Sequence, residues 1–325
     1  MNEVMSRLLA LAALALFAAA LPAAAQTVLN VNTALSTDDP MYAGLERMKA
    51  NVEKRSAGKL AIRIYPGSQL GKDEDVLEQA RAGANVAVLV DGGRLAPFVK
   101  EFGIMGAPYL VDNYDQILRL TASPLFTGWV EKLRNAANLQ VLAFDWFQGH
   151  RHALTNVPVK VPADLKGVRM RTPGAPVWLE TVRAMGATPT GMPWSEVYSA
   201  LQTKVIDGAE AQLPAVYGAR LYEVVKVITK TEHIYLITGI VTSRAWFDKL
   251  PADQQKILTE ETVAAGKWAS EKTIESLADY EKKLREKGVT IVEIDKAPFR
   301  TATAGVYATL GYTDLRKEVD KALGK

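Results

Sequence analysis

Arg171 is the side chain in this sequence best placed to do chemistry. Val168 and Met170 alternate with Arg169 and Arg171 in a short strand pattern that stops at Thr172-Pro173-Gly174. Arg171 therefore falls at the carboxyl end of a strand, where open α/β sheets bind ligands. Its planar guanidinium suits a carboxylate, and a two-point contact fixes direction as well as charge. The competing position, for any one of 39 basic residues, is a solvated surface. Imidazole chemistry is confined to His150, His152 and His233. His150 and His152 share one face of a strand and could pair on a metal, but no third ligand stands near them, so no metal site is expected.

Several reaction classes lack their residues. The chain has no Cys, which removes thiol nucleophiles, thiolate metal sites and disulfides. Neither G-x-G-x-x-G nor G-x-x-x-x-G-K-[ST] opens a helix, and H-E-x-x-H is absent. Gly67-Ser68-Gln69-Leu70-Gly71 places its Ser one position too early for a nucleophile elbow. No cofactor is expected. The net charge of +3 over 325 residues is no footprint for nucleic acid.

The elements that must position Arg171 read as α/β layers. Strands are predicted over Val28 to Thr33, Lys59 to Tyr65, Asn85 to Val90, Leu139 to Phe144, Gly167 to Arg171, Lys204 to Ala209, Ile234 to Val241 and Val289 to Ile294. Helical spacing joins them at Tyr42, Leu45, Met48 and Val52, at Val76, Leu77 and Ala80, and at Ile117, Leu118 and Leu120. This alternation predicts a mostly parallel sheet. Ala252 to Lys287 contains no Pro and only Gly266 as a weak break. It is either one brace of roughly 50 Å across two lobes or two ordinary helices broken near Gly266. Length and an average globular composition, 48% hydrophobic and 23% charged, suit two domains. At the N-terminus Arg7 precedes an apolar run from Leu8 to Leu21, followed by Pro22 and Ala23-Ala24-Ala25. The run of about 14 residues is too short for a spanning helix of about 20 and reads as a signal peptide cleaved near Ala25. A periplasmic protein is expected.

The segment DLKGVRMRTPG, Asp164 to Gly174, and its continuation through PVWLETVRAMGATPTGMPWSEVYSALQTKVIDGAEAQLP resemble the signature region of DctP-type solute-binding proteins of tripartite ATP-independent periplasmic (TRAP) transporters. GKLAIRIYPGSQLGKDEDVLEQARAG (Gly58 to Gly83), MGAPYLVDNYDQ (Met105 to Gln116) and WFDKLPADQQKIL (Trp246 to Leu258) resemble further family segments in the family's order. The resemblance implies an α/β, two-lobed periplasmic-binding-protein-like fold with a ligand cleft, its lobes joined by crossing strands and a long helix. Lobe I is expected at 26–148 plus about 237–276, and lobe II at 149–236 plus about 277–325.

The resemblance also implies roles. Arg171 matches the family's carboxylate-binding Arg, and Arg151 in FQGHRHALTN its second Arg. Arg94 and Asp91 fall in a loop that faces the cleft, and Trp194 matches an aromatic packing on the ligand. Glu210 and His233 match a polar cluster behind the ligand, functional or purely structural. The family's D-G-x-E-N here reads Asp207-Gly208-Ala209-Glu210-Ala211, leaving Gln212 to supply an amide. Sialic-acid binders carry an Asn where Gly174 stands and another near Ala34, so a smaller or more apolar ligand is expected. Trp146, Phe147 and Trp194 read as an aromatic wall or as core.

The function expected is capture of a small carboxylate and delivery to the TRAP membrane subunits by a likewise expected monomer without nucleic-acid partners. An ABC-type or sensor-linked binding protein is the nearest alternative, and an enzyme built on Glu210 and His233 a more distant one.

Overall fold

Alternating apolar residues build the first half of the sheet in this computed structural model, which describes residues 26–325. The expected signal segment lies outside the described residues. β1 (Thr27–Asn32) runs parallel to β2 (Leu60–Tyr65), with Thr27 opposite Leu60, and both send Leu29, Val31, Leu60 and Ile62 into the core. Helix α1 (Pro40–Arg55) connects them. Pro40 supplies its first-turn Pro, and the Asp39 carboxylate accepts from the Met41 N–H at its start. Helix α2 (Asp73–Arg81) then leads to β3 (Val86–Asp91), buried along its whole length as expected of a strand covered on both faces.

Two 17-residue strands, β4 (Leu139–Thr155) and β8 (Val227–Ser243), run antiparallel at the centre and extend from one half of the molecule to the other. β3 pairs with the C-terminal part of β8, whereas β7 (Gly208–Ala211) pairs with the C-terminal part of β4. With β5 (Arg169–Thr172), β6 (Thr188–Gly191) and β9 (Thr290–Val292), the nine strands follow the order β2-β1-β3-β8-β4-β7-β5-β6, β9 lying against β8. The register of β4 on β8 slips at four places, among them Phe147/Gly149 and Arg151/Ala153, and such bulges bend a long ribbon and re-aim its side chains. Together these elements form two α/β halves that share the long strands β4 and β8.

Ala252–Glu286 is one unbroken 35-residue helix, of roughly 50 Å. It packs on β4, on α1 and on the short helix Leu213–Gly218, touching both halves. Gly266 does not break it. A Cβ there would sit 2.3 Å from Trp146 Nε1, so this Gly serves close packing on a buried indole. Gly44 of α1 approaches the same ring. Trp146 and Phe147 are thereby core residues, fully buried, and not a cleft wall.

Three strand expectations change. The segments from Leu139 and Ile234 belong to much longer strands whose middle, buried on both faces and bulged, shows no period of two. The strand expected from Lys204 begins at Gly208, because Lys204 takes a left-handed backbone with φ +59. β6, partly exposed and carrying Pro189, was not anticipated; it forms on the template of β5, Arg171 opposite Thr190.

Candidate functional site

The carboxyl ends of β3 and β5, the bulged middle of β4 and the start of α2 converge on one cavity that encloses about 60 Å3. Arg171, Arg151, Arg94, Asp91, Trp194 and Gln212 all line it. Glu210 and His233 do not; both are fully buried behind Arg151.

Arg171 is 1% exposed. Its Nε and Nη2 donate to the Met192 carbonyl at 2.9 and 2.7 Å, and its guanidinium lies 5.3 Å from the Trp194 ring centroid. No carboxylate pairs with it among the described residues, and its Nη1 has no hydrogen-bond partner there. Burial, helped by the neighbouring Arg151 charge, pushes its pKa down to about 9. A buried cation in this condition needs an anion.

The other two arginines are already compensated. Arg151 grips Glu210 through Nε to Oε2 and through Nη2 to Oε1 at 2.7 Å, while Nη2 also donates to the Glu210 carbonyl at 2.6 Å. Its Nη1 donates to Gln212 Oε1 at 3.1 Å, and Gln212 Nε2 donates to Gln148 at 2.9 Å. Thr172 Oγ1 donates to Glu210 Oε1 at 2.7 Å. Burial pushes the Glu210 carboxyl up, but Arg151 and His233 overcome this and hold it at about 2. His233 Nε2 lies 3.4 Å from Glu210 Oε2 without hydrogen-bond geometry, and its Nδ1 shares a 2.8 Å contact with Thr231 Oγ1. Burial lowers its pKa against the pull of Glu210.

Arg94 follows Asp91, which caps the short helix Gly92–Leu95 and accepts from the Arg94 N–H at 3.2 Å. The Arg94 side chain pairs with Asp91, lies 2.9 Å from Glu74 and reaches to 3.6 Å from Asp73. Burial disfavours its charge, yet these three carboxylates raise its pKa above the ordinary value.

Two residues were missed by sequence reasoning. Asp73 lines the cavity and is 8% exposed; burial raises its carboxyl to about 6 despite Arg94. Its acidic neighbours in the first turn of α2 look like ordinary helix-start preference, which hid it. Trp178, on helix α3 (Pro176–Ala184), donates from Nε1 to Asp91 Oδ1 at 3.1 Å, tying the second half of the molecule to the first. A Cβ on Gly93 would meet that indole at 2.2 Å, so Gly93 is what admits it. A Lys72–Glu196 ion pair of 3.2 Å joins the two halves nearby.

Concerning metals, among the described residues no three His, Asp or Glu side chains are grouped to hold an ion. His150 packs edge-on against Phe147 and Tyr235 instead. No helix among the described residues is long and apolar enough to cross a membrane.

A two-lobed α/β fold with an arginine-lined cleft between its halves is the architecture of a solute-binding protein. The model of bacterial extracellular solute-binding protein family 7, DctP, matches residues 31–314, and the chain belongs to that family. It is a TRAP solute-binding protein and not an enzyme, and members of this family are periplasmic. It is 28% identical over 301 residues to the sialic acid-binding periplasmic protein SiaP of Vibrio cholerae, covering 93% of this chain and 91% of that one. Among solved structures, a TRAP solute-binding protein of Escherichia fergusonii in its apo open form is 46% identical, with TM-score 0.80 over 91% of this chain and 99% of that one. One from Ochrobacterium anthropi with bound L-fuconate is 32% identical, yet its TM-score is 0.89 over 92% of this chain and 100% of that one. The likeness is greater to the ligand-bound relative than to the apo open one, and the contacts of Trp178 and Lys72 join the two halves.

Proposed function

We propose that this chain captures a small organic acid in the periplasm, with Arg171 as carboxylate anchor, and delivers it to the membrane subunits of a TRAP transporter. The observation that carries the reading is a contrast within one cavity. Arg151 and Arg94 each have a buried carboxylate partner, whereas Arg171, buried as deeply, has none among the described residues. Closing the cleft without an anion leaves that charge uncompensated, so a ligand carboxylate shifts the population toward the closed state. The membrane subunits then receive the closed, loaded form. Trp194 offers its face beside the anchor, while Glu210, His233 and Gln212 hold Arg151 rigid behind it.

The cavity volume favours a compact ligand. About 60 Å3 has room for about four to six waters. Relatives bind ligands that include sialic acid and L-fuconate; Gly174, where the resemblance places an Asn in sialic-acid binders, argues against the former here. We assign 1–25 as a signal peptide cleaved near Ala25, lobe I to 26–148 with about 237–276, and lobe II to 149–236 with about 277–325. The final helix, Thr313–Leu323, reaches back on to Tyr114–Thr121.

The test is a thermal-shift screen of the mature protein against small carboxylates, since a ligand that binds only the folded form raises its apparent stability. Acids from three to six carbons should raise the melting temperature and their uncharged amides should not. Equal shifts from acid and amide would contradict the reading.

A further inference from the structure

A second groove, of about 490 Å3, lies between the helices Tyr114–Thr121 and Pro124–Ala137, the strand β4 and the long helix, and it shares no lining residue with the cleft cavity. Its wall is apolar, with Leu118, Phe126, Val130, Val141, Phe144 and Val263 along it. Thr121 and Thr127 line it too, but their hydroxyls donate to the carbonyls of Ile117 at 3.0 Å and Ser123 at 3.2 Å. The one ionisable residue in the lining is Asp145. It lies where β4 slips its register on β8, between Ala143 and Trp146, and such a slip aims a side chain away from the regular alternation. The Asp145 carbonyl accepts from the Tyr114 hydroxyl at 2.9 Å and from the Ser270 hydroxyl of the long helix at 3.2 Å. Its carboxylate is not held in this way. The residue is 8% exposed, Oδ1 is buried without a hydrogen-bond partner, and no Lys, Arg or His pairs with it among the described residues.

We propose that this groove is a second ligand site, which takes a primary ammonium on an aliphatic chain: the ammonium donates to the Asp145 carboxylate and the chain covers the apolar wall beside Phe126, Val130 and Val263. Burial raises the Asp145 carboxyl to about 6, opposed only by its own N–H, so it is ionised at neutral pH. A buried anion in this condition needs a cation, and a charge-assisted N–H···O bond is the strong form of that contact. The rest of the wall decides which cation. A metal ion would find one carboxylate and no further ligand, since no three His, Asp or Glu side chains are grouped among the described residues. A hydrocarbon chain instead gains by burying apolar surface, including Val263, which is 44% exposed. The site does not depend on carboxylate capture in the cleft.

An NMR titration of the mature protein at pH 7.5 with n-hexylamine and n-hexanol, which share a chain and differ in the head, tests the proposal. The amine should bind at least about tenfold more tightly than the alcohol, the ratio a charge-assisted hydrogen bond supplies. Asp145→Asn keeps the shape of the side chain without its charge and should erase that advantage. Val263→Arg, at an exposed position, fills the groove with its own chain and cation and should abolish binding of both probes. If Asp145→Asn fails to fold, Val263→Arg decides alone. Equal affinity for amine and alcohol, no amine binding tighter than about 10 mM, or amine binding that survives Val263→Arg overturns the inference.

Discussion

Replacing Glu210 with alanine removes the carboxylate that holds Arg151, and both groups are buried, at 0% and 4% exposure. Breaking one side of a buried ion pair costs about 3–5 kcal/mol, because the partner charge is left stranded. The titration of Glu210 leads to a similar figure. Its carboxyl, raised by burial but lowered further by Arg151 and His233, stands at about 2 against an ordinary 4.5. At about 1.4 kcal/mol per pH unit that gap is worth roughly 3 kcal/mol. Because the folded value is the lower one, the contribution is complete above about pH 4.5 and is lost as the pH falls toward 2. For about 300 residues the unfolding entropy is about 0.6 kcal/mol/K, so Glu210→Ala should melt about 5–8 °C lower at pH 7. By differential scanning calorimetry the deficit should shrink by about 1 kcal/mol between pH 7 and pH 4. The double variant Arg151→Leu/Glu210→Leu should recover much of the loss, since no charge remains to be stranded. A loss under about 1 kcal/mol, or a deficit that does not change with pH, would refute the reasoning.

Further expectations concern Asp39 and Trp178. Burial raises the Asp39 carboxyl to about 7, against the help of the Met41 N–H, so the native protein loses stability between the unfolded value near 3.8 and about pH 7. Asp39→Asn keeps the helix cap without titrating; its melting temperature relative to wild type should climb from pH 4 to pH 7 and then level off, and a flat difference would count against it. Trp178→Phe deletes the 3.1 Å bond to Asp91 across the cleft. Ligand affinity should fall by about fivefold, equivalent to about 1 kcal/mol for one hydrogen bond, and unchanged calorimetric binding would show that this bond does not stabilise the closed form.

Much of the candidate site was legible because strand ends carry most of it. Arg171, Arg151, Trp194, Arg94, Asp91 and Gln212 come from segments whose motif order or stop signals fix their positions, and they meet at one cavity. Trp178 was hidden because a Trp on an amphipathic helix reads as core, and nothing local indicates that its N–H reaches another half of the chain. Asp73 was hidden by the acidic first turn around it. The length of β4 and β8 escaped because alternation vanishes where both faces are buried and bulges shift the register. Gly266 looked like a break; its meaning lies in Trp146, 120 positions earlier in the sequence.

The most direct test of the account is calorimetric titration of Arg171→Ala with the acid that most stabilises the wild-type protein. A charge-assisted contact is worth about 1.5–3 kcal/mol, so affinity should fall by roughly 10-fold to over 100-fold while the fold, seen by circular dichroism, persists. Wild-type affinity in that variant would contradict the central claim that Arg171 is the carboxylate anchor.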